Sequence, residues 1–119
     1  MDIEKFKARL SDNVIAPILE YMEELGEDCE YSKKDVQKCE KILAEYLESL
    51  ASLLVPTDED IMKCVKKAVL ALNNLNEKTD YALIETVERE SIWELIQTSA
   101  EECGLQNPTD DITEEWREW

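Results

Sequence analysis

The chain has 119 residues, with 29 Asp and Glu against 13 Lys and Arg, no histidine, and a formal net charge of −16. That length suits one domain around one core, and that charge disfavours nucleic acid or an anionic membrane as a direct partner while favouring a basic one. The missing histidine removes Ser–His and Cys–His nucleophiles, His-ligated zinc and the Glu-x-x-His pairs of di-iron bundles.

Hydrophobic residues make up 44% of the chain, with only two glycines and three prolines. Their helical spacing reads as a folded globule, not as a disordered acidic tail. No stretch makes a convincing strand, since LIET at 83–86 is too short. The expectation is an all-α fold, a single domain over residues 1–119 built as a bundle of four main helices plus a short C-terminal helical turn. Cys29, Cys39, Cys64 and Cys103 form no CxxC pair, and no leader or long apolar run is visible. Both features suit a reducing cytoplasm, with the thiols as small packing groups.

The first helix is expected from Asp2 to Gly26, with Ile3, Phe6, Leu10, Val14, Ile15, Ile18, Leu19, Met22 and Leu25 on its buried side. Pro17 cannot donate to the carbonyl of Asn13, which predicts a kink or break around Ser11 to Asn13. From Glu20 to Glu30 there are six acids and no base, and acids at a helix C-terminus oppose its dipole. A second helix has Ser32 as N-cap, Asp35 completing a capping box, and Tyr31 placed to staple against Val36. Its stripe, Val36, Cys39, Ile42, Leu43, Tyr46, Leu47, Leu50, Leu53 and Leu54, carries on to Val55 before Pro56, a span of roughly 34 Å.

Thr57 and Asp60 open a third helix whose buried side is Ile61, Cys64, Val65, Ala68, Val69, Leu72 and Leu75. Lys63, Lys66 and Lys67 read as a solvated face balancing nearby acids. Asn73, Asn74 and Asn76 are weak helix formers, so fraying into a loop over Asn76 to Tyr81 is expected. The fourth helix starts at Thr86 as N-cap, with Glu88 and Glu90 at the favourable dipole end, and stops at Gly104 with Leu105 folding back. Ile92, Trp93, Ile96, Ala100 and Cys103 face the core, while Glu94, Gln97, Glu101 and Glu102 face water. Thr109 or Thr113 caps a final turn that brings Trp116 and Trp119 to one face, where two indoles can tie down the chain end.

Charge is uneven along the chain. Residues 68–119 hold 13 acids and three bases, Lys78, Arg89 and Arg117. The acidic surplus lies on the last helix and tail, with a second patch at Glu20 to Glu30; sequence leaves open whether the two meet. An acid–base pair such as Glu85 with Glu88 or Glu90 lacks any sign of a desolvating cleft. Neither TDED at 57–60 nor NPTDD at 107–111 has the pattern of a calcium loop, and no Gly-rich phosphate loop exists. These readings give no catalytic residue, no cofactor, no metal and no enzyme.

The C-terminal segments LNNLNEKTD (72–80), LIETVERESIWELI (83–96), CGL (103–105) and DDITEEWREW (110–119) together resemble the small acidic bacterial immunity proteins found beside polymorphic toxins. The resemblance implies a cytoplasmic one-to-one inhibitor that covers a basic toxin domain, for example a nuclease, and carries no catalytic residues. The expected partner-binding residues are Glu85, Glu88, Glu90, Glu94, Asp110, Asp111, Glu114, Glu115, Trp116 and Trp119. The cognate toxin is the expected basic partner, and the protein itself is a monomer or weak homodimer. Two other classes fit the composition: a DNA-mimicking regulator or phage-type inhibitor of a nucleic-acid-binding protein, and a helical adaptor using an apolar groove.

Overall fold

Asp2 opens the fold by capping α1 (Ile3–Arg9), its carboxylate accepting the Lys5 N–H at 3.1 Å. In the computed structural model, which describes residues 1–119, α1 runs into a π-helical stretch over Leu10–Ile15 and then into α2 (Ala16–Leu25). This wide turn is the form the expected Pro17 disturbance takes. Pro17 has no N–H for the Asn13 carbonyl, and the Ala16 N–H reaches back five residues to Ser11. Leu10, Val14, Ile15 and Ile18 remain buried through the change of pitch, whereas Leu19 turns outward. Gly26 ends α2 at φ 55°, a region glycine tolerates and other residues rarely visit.

Ser32 and Asp35 form the expected capping box at the start of α3 (Lys33–Ala51), and Tyr31 and Val36 are both buried. The helix is shorter than its apolar stripe suggests. It stops at Ala51 after 19 residues, about 28 Å, and leaves Leu54 98% exposed and Val55 79% exposed in the connection to α4. The residues before Pro56 cannot keep helical geometry against its ring, so apolar character there does not mean burial.

Thr57 caps α4 (Asp58–Lys78) by accepting the Asp60 N–H at 3.1 Å. The helix runs to Lys78, past the expected loop start at Asn76, and the turn begins at Thr79. Asn73 and Asn76 are buried, and their side chains bond the C-terminal tail and the entry to the next helix respectively. Tertiary partners outweigh weak helix propensity at these positions. The turn beyond α4 places Asp80 and Tyr81 at φ 56° and 63°, with the Tyr81 N–H reaching the Asn76 carbonyl at 2.7 Å. Two consecutive non-glycine residues in this region store strain.

The N-cap of α5 (Thr86–Cys103) is Glu85, one residue before the expected Thr86, and Glu88 accepts the Glu85 N–H at 3.1 Å. Gly104 closes the helix in the left-handed region, and the buried Leu105 returns its N–H to the Ala100 carbonyl. The inward face of α5 differs from the predicted stripe: it adds Leu95, Ser99 and Gln97, whereas Trp93 is half-buried and lies outside the core cluster. Gln97 does not face water: its amide donates to the Thr109 carbonyl and accepts the Ile112 N–H, tying the tail to the helix.

A core of 26 residues drawn from every helix joins these elements, and no strand is present. The architecture is the expected all-α bundle, with a single turn near the C-terminus closed by Arg117 N–H on the Thr113 carbonyl. The α1–α2 arm runs antiparallel to α5. Lys5 pairs with Glu102 at one end of that seam and holds its carboxyl below the usual carboxylate range, while α2 meets the first turn of α5 at the other. On the opposite side, α3 and α4 pack against each other as an antiparallel hairpin.

Candidate functional site

The two acidic regions of the sequence meet in space. Pro17, Glu20, Tyr21 and Glu24 of α2 face Glu85, Thr86, Val87 and Glu88 at the start of α5 across a groove of about 390 Å³. Glu20 and Glu24 are one helical turn apart, so their side chains share the face that also presents Pro17 and Tyr21. Glu85 and Glu88 arrive from the other wall because Asn76 fixes the approach to α5, its side-chain oxygen accepting the Ile84 N–H at 2.9 Å. No base lines the groove, and none of its four carboxylates joins any ion pair of the molecule. One oxygen of Glu88 is engaged by the Glu85 N–H. Glu20 and Glu24 accept no hydrogen bond from the protein.

Two apolar surfaces sit among these charges. Tyr21 is 43% exposed and Val87 is 67% exposed. Burial pushes the Tyr31 phenol up to about 12, and the neighbouring Cys29, Glu88 and Tyr21 push in the same direction. The result is a negative rim around a small apolar and aromatic centre, the arrangement that places hot-spot contacts inside a charge-steering border. No group of three or more Cys, Asp or Glu side chains is placed to hold a metal ion.

The structure separates the expected binding residues into several places. Glu85 and Glu88 line the groove, and Glu90, two residues beyond Glu88, is exposed outside its lining. Glu94 lies in a different depression shared with Arg9, Asn13, Ser91 and Thr98, where a guanidinium lines the same walls. Asp111 is not a free surface acid. It accepts from the Thr113 N–H and hydroxyl and pairs with Arg117 at 3.2 Å, so it holds the C-terminal turn together. Asp110, Glu114 and Glu115 are exposed on that tail.

Trp116 and Trp119 are half-buried and packed against the core, acting as the tie for the chain end. Lys66 lies 5.9 Å from the Trp116 ring centre and Arg117 lies 5.5 Å from that of Trp119. Asn73 secures the same segment by donating to the Trp116 carbonyl at 2.8 Å and accepting the Glu118 N–H at 3.0 Å. The tail is thus a structural clasp as much as a surface. The Glu20 to Glu30 run supplies the α2 wall, although none of its residues is among the expected binding residues. The available signal was the run of acids without a base, at a helix end where the dipole does not favour them.

Residues 16–119 match the profile of a family described as of unknown function, DUF5713, and the chain belongs to that family. The matched region begins at the first residue of α2 and contains both walls of the acidic groove. The family description names no function. No curated protein and no solved structure shows significant similarity to the chain.

Proposed function

We propose that this DUF5713 protein works as an acidic binding protein of the immunity type, using the α2–α5 groove to cover a basic site on a toxin domain without any turnover of its own. The observation that carries this reading is the set of four carboxylates, Glu20, Glu24, Glu85 and Glu88, without cationic partners around the exposed Tyr21 and Val87. An isolated fold gains nothing from such a cluster, since like charges repel, whereas a lysine- or arginine-rich partner gains both attraction and orientation. A nuclease domain fits because its phosphate-binding surface is basic. The cytoplasm is the proposed compartment. No helix of the chain is long and apolar enough to cross a membrane.

Co-expression with the product of the adjacent reading frame tests the proposal. The wild-type chain should restore growth to cells expressing that product, and Glu20→Lys or Glu24→Lys, at exposed positions without partners, should abolish protection while leaving the melting temperature close to that of the wild type. Protection that survives both reversals, or a neighbour without toxicity, would contradict the assignment. Competition by duplex DNA for the same partner would point instead to a DNA-mimicking regulator.

A further inference from the structure

The bundle carries a second groove, between α3 and α4, in whose lining lysines outnumber carboxylates two to one. Ile42, Tyr46, Cys64, Ala68 and Ala71 line it together with Ser49, and its charged groups are Lys63, Lys67 and Glu45. The small side chains of Cys64, Ala68 and Ala71 recur on one face of α4 and leave an opening of about 220 Å³ between two otherwise packed helices. That volume exceeds the roughly 150 Å³ of an apolar cavity that accepts benzene. The Tyr46 hydroxyl is engaged elsewhere, bonded to the Ile96 carbonyl at 2.9 Å and to Ser99, so its ring supplies apolar lining. Burial raises the Cys64 thiol above its ordinary value, which keeps this wall uncharged at neutral pH.

The groove continues along the hairpin through Ile42, Glu45 and Ala71 to a second mouth carrying Lys38, Lys41 and Lys78. Five lysines line the two ends against one carboxylate, Glu45, which is shared by both, in a chain whose net charge is −16. Lys63 and Lys41 make only exposed helix-surface pairs, with Glu59 at 3.4 Å and Glu45 at 4.0 Å, contacts that contribute little. Lys38, Lys67 and Lys78 join no ion pair.

We propose that the α3–α4 groove is a binding site for an amphiphilic carboxylate, a fatty-acid-like molecule whose alkyl chain lies on Ile42, Tyr46, Ala68 and Ala71 and whose head group meets Lys63 and Lys67. An apolar slot alone would take any alkyl compound; the lysines select the anion.

Calorimetric titration of the full chain with decanoate, decanol and decyltrimethylammonium tests the proposal. Decanoate should bind saturably, and about tenfold or more tightly than either control. Lys63→Glu with Lys67→Glu should weaken decanoate about tenfold without lowering the melting temperature, because both positions are exposed. Ala71→Leu, which fills the slot from a partly exposed position, should abolish binding while the lysines remain. Absence of saturable decanoate binding, equal affinity for the cationic amphiphile, or unchanged affinity in the lysine variant would each overturn the proposal.

Discussion

Replacing Asn73 by alanine should release the C-terminal clasp. The side chain makes two hydrogen bonds to the tail, 2.8 Å to the Trp116 carbonyl and 3.0 Å from the Glu118 N–H, and is only 6% exposed. A net hydrogen bond contributes about 0.5–1.5 kcal/mol, and stranding a buried partner costs about 1–3 kcal/mol. Alanine regains up to about 0.7 kcal/mol of helix propensity. The balance is a loss of about 2 kcal/mol, or roughly 6–12 °C in melting temperature for a domain of this size. Urea unfolding followed by tryptophan fluorescence and by far-ultraviolet circular dichroism measures it. Asn74→Ala serves as the control, because Asn74 sits one residue further on the same helix and is exposed. It should leave stability unchanged or raise it slightly. A loss below about 0.5 kcal/mol for Asn73→Ala would refute the clasp, since intact hydrogen bonds at a buried site cannot be removed so cheaply.

Other substitutions test the rest of the frame. Leu47 and Leu50 lie fully inside α3's buried face, so truncating either to alanine should cost about 2–5 kcal/mol in the same unfolding assay. Tyr81→Gly should stabilise by about 0.5 kcal/mol, because the exposed tyrosine gives up left-handed strain and loses little contact. Alkaline titration should destabilise the protein. Burial raises Cys39 from 9.0 to about 12 and Tyr31 from 10.0 to about 12, so the unfolded chain ionises first. Stability is then full below pH 9.0 and falls as pH rises toward about 12, measurable by urea midpoints taken across that range.

Helix positions were legible in the sequence wherever local chemistry decides them. Ser32 with Asp35, Thr57 with Asp60, and Gly104 specify helix ends through bonds made within a few residues, and all three hold in the structure. The misreadings fall where distant partners decide. Asn73 and Asn76 look like helix breakers until the tail and the α5 entry supply their hydrogen bonds, and Gln97 looks like a surface residue until the tail folds over it. Leu54 and Val55 fail for the opposite reason, being apolar residues for which no neighbouring element supplies cover.

The candidate site was half visible. Its α5 wall was named through Glu85 and Glu88, whereas the α2 wall needed the antiparallel pairing that brings residues about 65 positions apart into one groove. The tail residues Asp111, Trp116 and Trp119 share the composition of an interface, yet they serve first to anchor the chain end.

Affinity for the proposed basic partner, measured from low to high salt for the wild type and for charge reversals at separate acidic places, tests the groove most directly. Glu24→Lys and Glu88→Lys should each weaken binding by about tenfold or more and flatten its salt dependence, while Glu94→Lys and Glu115→Lys, outside the groove, should bind within about threefold of wild type. Equal losses at all four positions, or affinity indifferent to salt, would contradict recognition by the α2–α5 groove.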